Sequence, residues 1–212
     1  MDTSPHSGGD GPDLRSRKRS AAIRHIQRVA LSLFDEYGYD EVSVTQIAEA
    51  AEVGERSIYR YFGTKPMLLL YDEADVASIA LFSERLESRP LLAAVTETLD
   101  DIGPLLHPDS TDEARRRLSH VDRHPELRAA LASYVWELGD QFAQAIAAAR
   151  RVPADDLTAQ VHGHCVVAAL TAAINRWRDD PGIDLHSELR AAVQILADGL
   201  TPPSASPRRH LG

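Results

Sequence analysis

The segment from residue 43 to residue 65, SVTQIAEAAEVGERSIYRYFGTK, constrains the fold more than any other part of the chain. Ser43 and Gln46 form an S-x-x-Q capping box, which marks the start of a helix. Three apolar residues then recur at helical spacing, and Gly54 fits the N-cap of a second short helix. Two short helices joined by a tight turn predict a helix-turn-helix unit.

The second helix of this unit would present side chains that can contact DNA. These are Glu55, Arg56, Ser57, Tyr59 and Arg60. Arginine can bond guanine with two hydrogen bonds, serine can bond a base or a phosphate, and tyrosine commonly bonds phosphate. A helix pair of this kind also occurs as ordinary core in all-α chains, and Tyr61 and Phe62 would suit that alternative.

The same segment resembles the DNA-reading motif of TetR-family transcriptional regulators, T-x-x-x-I-A-x-x-A-G-V-S-x-x-T-x-Y-x-Y-F-x-x-K. The matching residues are Ser43, Ile47, Ala48, Ala51, Val53, Ser57, Tyr59, Tyr61, Phe62 and Lys65. The match is in register throughout, and it covers roughly residues 20 to 70 near the N-terminus. The resemblance implies that Ser43, Thr45, Tyr61 and Lys65 contact DNA together with the outward residues of the second helix.

Two positions depart from the family pattern, and both lie in the turn. Glu52 stands where the family usually has glycine, at a position that tends toward positive φ. A left-handed backbone costs a residue other than glycine about 1–2 kcal/mol. Gly54 stands where serine or threonine usually caps the reading helix. We therefore expect the turn to be slightly strained, with the reading helix less well capped than usual.

The net charge of −9 appears unsuited to a DNA-binding protein until its distribution is considered. Residues 14–34 carry six basic residues and no acidic one, whereas residues 67–212 carry 14 basic and 22 acidic residues. The run LRSRKRS, with Arg17, Lys18 and Arg19, is either a solvated charge run or an arm that contacts DNA. Its position directly before the helix-turn-helix unit favours the DNA-contacting arm.

The apolar periodicity of the chain predicts an all-α protein of about nine helices. A helix from Ser20 to Tyr37 would support the reading unit, and Lys65-Pro66 would begin a long helix that runs to about Leu86. Further helices are expected at residues 91–102, 111–121, from Pro125 on, from about residue 153 on, and at 185–200. Residues 14–64 would form the DNA-binding domain and 65–201 the ligand-binding and dimerisation domain. Residues 1–13 and 202–212 would be disordered tails.

The resemblance to TetR-like regulators also implies a homodimer. Such proteins build a four-helix interface from their last two helices. Residues 159–177, AQVHGHCVVAALTAAINRW, are apolar or small on nearly all sides. This composition favours a helix that is buried against its own chain on one side and against a partner chain on the other.

A small-molecule pocket is a further implication of the resemblance. Its candidate lining residues are Phe82, Leu99, Tyr134, Trp136, Leu138, Phe142 and Trp177, although ordinary core is favoured for each residue taken singly. The C-terminal half also resembles members that sense acyl-coenzyme A, on the run Arg115-Arg116-Arg117 and a W-R-x-D-x-G-like segment. The arginine run is either a solvated face or a phosphate-binding patch.

No metal, cofactor or enzyme motif is evident in the sequence. His120 and His124 are spaced i, i+4, and His162 and His164 flank Gly163 beside the single cysteine. We interpret these histidines as structural or surface residues and assign no metal ligands. The chain has no G-x-S-x-G, H-E-x-x-H or P-loop motif, so no enzyme activity is expected. A polar N-terminus without a signal peptide, one cysteine and no long apolar run predict a cytoplasmic protein that does not enter a membrane.

These features predict a ligand-responsive transcriptional regulator that binds double-stranded DNA as a dimer. Two-fold symmetry would require a palindromic operator, and a small lipophilic effector would release the protein. The weaker resemblance of the C-terminal half implies an effector of the acyl-coenzyme A kind. The alternative is a ligand-binding or scaffold protein whose head no longer reads DNA, because Glu52 alters the turn. The operator, the regulated genes and the choice between repression and activation are open at this point.

Overall fold

The computed structural model describes residues 11–103 and 108–199, and this part of the chain contains ten helices and no strand. In chain order they are α1 Gly11–Tyr37, α2 Val44–Ala50, α3 Glu55–Phe62, α4 Met67–Leu70, α5 Glu73–Leu86, α6 Leu91–Ile102, α7 Pro108–Arg123, α8 Pro125–Arg150, α9 Leu157–Asp179 and α10 Leu185–Asp198. The all-α prediction is confirmed, with one helix more than expected.

The first helix begins earlier than the sequence predicted. α1 starts at Gly11 rather than Ser20, so residues 11–13 are helical and the basic run is not an extended arm. Pro12 is tolerated in a first turn, and the arginine, lysine and alanine residues that follow favour a helix. The rest of the predicted tails, residues 1–10 and 202–212, lies outside the described residues.

The end of α1 follows the predicted glycine signal. Gly38 has φ 89°, and its N–H donates to the Phe34 carbonyl at 2.9 Å, which satisfies one of the last carbonyls of the helix. The next residue, Tyr39, packs its ring on Phe34 with 5.1 Å between the ring centroids. The chain therefore leaves the helix with an aromatic side chain directed into the core.

The single long helix predicted from Lys65 to Leu86 is wrong, because the chain breaks into α4 and α5 at Tyr71. Tyr71 adopts an extended conformation with φ −64° and ψ 129°. Its carbonyl, which no longer accepts a helical bond, accepts from Gln27 Nε2 at 2.8 Å and Arg117 Nη1 at 3.1 Å. Side chains from two other helices thus satisfy the backbone group that the break leaves unpaired.

The described chain forms two packing units. The first contains residues 11–73 and Asp112–Tyr134, so α7 and the first part of α8 pack with the predicted DNA-binding head. The second contains residues 74–103, 108–111 and 135–199. The sequence predicted residues 65–201 as one domain and did not predict that residues 112–134 group with the head, because this grouping depends on contacts between distant residues.

The core of the first unit is formed by apolar faces of α1, α2, α3 and α4, with Val121 and Leu127 added from α7 and α8. A polar contact joins α1 to α7 beside this core. His120, a buried residue, places Nε2 2.7 Å from Asp35 Oδ1, and Arg116 donates to the other oxygen of Asp35. Partial burial raises the pKa of Asp35, but the hydrogen bonds from Arg116 and His120 outweigh it and hold the pKa below its ordinary value of 3.8.

Asp35→Asn is expected to destabilise the protein at neutral pH, because it removes the charge that Arg116 and His120 contact. Since the folded pKa of Asp35 is below the unfolded one, the stabilisation is present above the unfolded pKa and lost as the pH falls through the folded pKa. Urea denaturation at several pH values should show the difference between variant and wild type shrinking toward acid pH. A difference that is constant with pH would contradict the assignment.

The core of the second unit lies between α5, α6, α8, α9 and α10. Phe82 and Phe142 stack with ring centroids 4.7 Å apart, and Leu99, Val166 and Val193 complete the apolar contact around them. Asp156 caps α9 by accepting from the Ala159 N–H, and Asp184 caps α10 by accepting from the Ser187 N–H. These caps fix where the last two helices begin.

One helix of the described chain, α9, has the length and apolar composition that a membrane span would need. Core helices of globular proteins satisfy the same criterion. The apolar residues of α9 that are not in the core leave a stripe on the surface of this unit, formed by Leu157, Val161, Cys165, Ala168 and Ala172.

Candidate functional site

The helix-turn-helix unit begins with the predicted capping box. The N–H of Gln46 donates to Ser43 Oγ at 3.2 Å, and the N–H of Ser43 donates to Gln46 Oε1 at 2.7 Å. Two backbone N–H groups at the start of α2 are thereby satisfied. The buried residues Ile47 and Ala48 then pack α2 onto the core of the first unit.

The turn between α2 and α3 has the left-handed residue that the sequence predicted. Glu52 has φ 53°, its N–H donates to the Glu49 carbonyl, and the Val53 N–H donates to the Ala48 carbonyl at 2.9 Å. This pair of bonds is the Schellman motif, which normally uses glycine at the left-handed position. The turn is therefore closed in the usual way, with the strain that a side chain adds.

Glu52→Gly is expected to raise the free energy of unfolding by about 0–2 kcal/mol. Relief of the left-handed strain contributes about 1–2 kcal/mol, and the greater freedom of glycine in the unfolded chain offsets up to about 1 kcal/mol of it. Urea denaturation of the two proteins at one concentration measures the difference. A destabilised variant would mean that the Glu52 side chain makes a contact that outweighs its strain.

The reading helix α3 is held by one face and exposed on the other. Ile58 and Phe62, one helical turn apart, are 1% and 5% exposed and belong to the core of the first unit. Gly54 caps the helix with φ −75° and ψ 142°, without a side-chain hydrogen bond, as the sequence predicted. The burial of these two side chains therefore fixes the orientation of α3, and the N-cap contributes little to the stability of the helix.

The structure places the predicted contact residues of α3 at the surface. Glu55, Arg56, Tyr59 and Arg60 are exposed, Tyr59 at 50%, and Ser57 is half-buried. Ser43 and Thr45 of the preceding turn and helix are exposed as well. Glu55 in the first turn suits the positive end of the helix dipole. The exposed face combines two guanidinium groups and a phenol, which suits phosphate and base contacts.

A cluster of Arg19, Arg60 and Tyr61 joins the basic start of α1 to the end of α3. Arg60 donates to the Tyr61 hydroxyl at 3.0 Å, and its guanidinium lies 4.8 Å from the centroid of the Tyr61 ring. The Arg19 guanidinium lies 6.0 Å from the same ring. Arg17 and Lys18 are exposed on the same turns of α1. Through Arg19, the basic run therefore lies next to the end of α3.

Lys65 differs from the other predicted contact residues, because its ammonium group is directed toward the protein. Nζ donates to the Tyr39 carbonyl and lies 4.1 Å from the centroid of the Tyr39 ring. Burial lowers the pKa of Lys65, and the nearby charges of Asp40 and Glu126 partly offset this. In this structure Lys65 therefore fixes the loop after α1, and its contact with DNA stays a prediction.

Tyr39 is a positioning residue that the sequence reasoning missed. It is 1% exposed, and burial, followed by the charges of Glu126 and Asp40, raises its pKa far above the ordinary value. A signal was available, because an aromatic residue directly after a helix-ending glycine often packs back on the last turn. Tyr39 does so against Phe34, and its carbonyl receives Lys65.

The residues predicted to line a ligand pocket are mostly core residues. Phe82, Leu99, Phe142 and Trp177 are buried, at 0%, 4%, 7% and 3% exposure. Leu138 is half-buried against the same core, Tyr134 belongs to the first unit, and Trp136 is 64% exposed. None of these seven residues lines the cavity formed at the ends of α5 and α8 and the starts of α6 and α9.

That cavity lies in the second unit and has a volume of about 310 Å³. Its apolar lining residues are Leu86, Leu91, Ile146 and Ala149, and its polar ones are Arg89, Arg150, Thr158 and His162. They come from the end of α5 and its following turn, the start of α6, the end of α8 and the start of α9. Sequence periodicity could not find it, because four separate helix ends form it.

Three of the four paired histidines and two arginines of the run have partners in the structure. His120 contacts Asp35, His124 Nε2 lies 3.8 Å from Asp40, and His164 contacts Asp140. Arg116 bonds Asp35 and Arg117 bonds Asp72, so two of the three arginines of the run form ion pairs within the first unit. Across the described residues, no group of three or more histidine, cysteine or acidic side chains could hold a metal ion.

Two family models match the chain. Residues 26–71 match the model described as bacterial regulatory proteins of the tetR family, and residues 89–201 match the model described as the MftR C-terminal domain. Together the two models cover the helix-turn-helix unit and most of the remaining helices. The N-terminal and the C-terminal part of the chain therefore each match a model of bacterial transcriptional regulators.

Individual relatives agree with the family models. The chain is 31% identical over 214 residues to the HTH-type transcriptional regulator TcmR of Streptomyces glaucescens, covering 94% of this chain and 91% of that protein. It is 26% identical over 192 residues to a Mycobacterium tuberculosis protein named as a mycofactocin biosynthesis transcriptional regulator, MftR, covering 87% and 93%.

Two solved structures show the same fold. Thermus thermophilus FadR, a TetR-family transcriptional repressor in complex with lauroyl-CoA, matches with a TM-score of 0.51 at 23% identity over 86% of this chain and 97% of that one. The SmeT–triclosan complex matches with a TM-score of 0.56 at 15% identity, over 88% and 97%, and SmeT is from Stenotrophomonas maltophilia. At these identities the likeness is one of fold.

Proposed function

Since the chain belongs to the TetR family of bacterial transcriptional regulators, we propose that it is a repressor that binds a palindromic operator as a homodimer. A small lipophilic ligand would release it from the operator, in the bacterial cytoplasm. The observation that carries the proposal is the exposed face of α3, where Arg56, Tyr59 and Arg60 stand on a helix anchored by Ile58 and Phe62.

The surface of the second unit supports a second copy of this chain as the partner. Leu157 is 76% exposed, Val161 49% and, on α10, Ile195 65%. Together with Cys165, Ala168 and Ala172 they give α9 and α10 an apolar surface beside which small residues allow close helix packing. Self-association through these two helices would cover that surface, and two-fold symmetry would present two copies of α3 to one operator.

A lipophilic effector is supported by what the structural relatives hold. The FadR structure contains lauroyl-CoA, which joins a long apolar acyl chain to a charged coenzyme A group, and the SmeT structure contains triclosan, an apolar aromatic molecule. For this chain, an effector of the same general character would act by favouring a dimer in which the two reading helices cannot enter successive major grooves together. Linkage then requires that operator DNA lowers the affinity for the effector by the same factor.

The proposal is tested by titrating the purified full-length protein against its own upstream DNA across a salt series, with a scrambled duplex as control. Repressor function predicts binding at least ~10³-fold tighter to the upstream DNA, with a steep salt dependence from phosphate contacts. Light scattering of the free protein and of the complex gives the number of chains. Equal, weak binding to both duplexes would contradict the proposal and favour a head that no longer reads DNA.

A further inference from the structure

The cavity of about 310 Å³ in the second unit has an apolar floor and a cationic mouth. Ile146 is buried, and Leu86 and Leu91 are half-buried, so these three side chains form the deeper wall. Arg89, Arg150 and His162 are exposed, which places them at the opening. The two kinds of side chain are therefore separated by depth, as an amphipathic ligand would require.

Both arginines of the mouth have donors beyond those used in their ion pairs. Arg89 contacts Glu97 through Nε at 3.1 Å, and Arg150 contacts Asp156 through Nη1 at 3.0 Å. The side of each guanidinium that makes no contact with these carboxylates retains several N–H groups. Because the two pairs are partly solvated, an anion can add to each arginine without displacing its carboxylate.

The start of α6 adds a second source of positive potential at the same place. Pro90 occupies the N-cap of this helix of 12 residues and makes no side-chain cap bond. The first backbone N–H groups of α6 therefore lack the acceptor that serine or aspartate would provide. Leu91, the first residue of the helix, lines the cavity, and Arg89 directly precedes the cap. The helix dipole and Arg89 thus favour negative charge at the same end of the cavity.

We propose that this cavity binds an amphipathic anion, a short apolar chain or ring that ends in a carboxylate or a phosphate. The volume is near the lower end of the range of ligand pockets, about 300–1,000 Å³, and suits one apolar chain rather than a nucleotide-sized molecule. The apolar part would lie against Leu86 and Ile146, and the anionic end between Arg89 and Arg150. The inference deepens the proposed function, because it names the chemical class of the effector and its place.

The test is calorimetric titration of the full-length protein with decanoate, decyl phosphate and decanol at one moderate ionic strength. The three probes have the same apolar chain, so their difference measures recognition of the anionic end. We expect saturable binding of one or both anions, one per chain, at least about tenfold tighter than decanol. Equal affinity for decanol and both anions would overturn the proposal. Tighter binding of one anion than of the other two probes would support the proposal and identify the end group of the ligand.

Three variants locate the site. Arg150→Gln is expected to weaken anion binding about tenfold, because it removes a charged donor. Arg151→Gln is the matched control, because this exposed arginine is adjacent in sequence and does not line the cavity. Ala149→Trp adds a large side chain at an exposed lining position and should abolish binding of every probe. Unchanged decanoate affinity in Ala149→Trp, with a normal circular dichroism melt, would overturn the proposal.

The operator assay separates this inference from the proposed function. Specific DNA binding without anion binding would overturn the cavity proposal and leave the repressor assignment intact. If both occur, decanoate or decyl phosphate should weaken operator binding by the wild-type protein and not by Ala149→Trp. An anion that binds in the cavity without changing operator affinity would support the site and contradict its role as the effector site.

Discussion

Arg56→Ala is expected to weaken binding to the operator by about tenfold to a hundredfold and to relax its sequence preference. Arg56 is exposed at the second position of α3, whose opposite face is fixed in the core by Ile58. A guanidinium at this position of a reading helix can bond a guanine edge with two hydrogen bonds, and alanine offers none. The fold should be unaffected, because the side chain contributes nothing to the core.

Competition titrations of the upstream duplex and single-base variants would measure both effects. Arg123→Ala is a suitable control, since Arg123 is an exposed arginine on α7 rather than α3. Arg60→Ala distinguishes a phosphate contact from the base contact proposed for Arg56. If Arg60 contacts phosphate, its loss should weaken all duplexes alike and reduce the salt slope by about 1. Wild-type affinity in Arg56→Ala, with unchanged melting, would rule out α3 as the reading helix.

Local signals predicted the geometry of the helix-turn-helix unit well. The Ser43 and Gln46 capping box, the left-handed Glu52 and the uncapped Gly54 are all found in the structure as expected. Each of these three features depends only on residues within one helical turn of it. The local sequence is therefore enough to predict it. The apolar spacing of Ile58 and Phe62 likewise fixes which face of α3 is buried.

The features that the sequence did not predict share a different cause, which is contact between residues far apart in the chain. The break between α4 and α5 depends on Gln27 and Arg117, which satisfy the Tyr71 carbonyl from two other helices. The contact between the Lys65 ammonium group and the Tyr39 carbonyl was not predicted either. The cavity requires four helix ends to meet. Periodicity along one helix contains no information about any of these contacts.

Gly163→Ala is expected to destabilise the protein by about 2 kcal/mol, although alanine is the better helix former. Replacing a glycine in the interior of a helix usually gains up to about 1 kcal/mol. Here a Cβ on Gly163 would lie 2.4 Å from the Ala143 nitrogen and 2.7 Å from the Gly139 carbonyl oxygen. These atoms are backbone of α8, so the clash can be relieved only by moving α8 and α9 apart, and such overpacking typically costs about 1–3 kcal/mol.

Gly54→Ala is the matched control for this prediction. It has a negative φ of −75° and no atom within 4 Å of the added Cβ, so its stability should change by less than about 1 kcal/mol. Urea denaturation at several protein concentrations would separate a fold effect from loss of the proposed dimer, because only the latter depends on concentration. A Gly163→Ala protein as stable as the wild type would mean that α8 and α9 lie farther apart than this structure places them. A lower free energy of unfolding in Gly163→Ala would show that close packing of the α8 and α9 backbones requires this glycine. A higher one would show that helix propensity outweighs that packing.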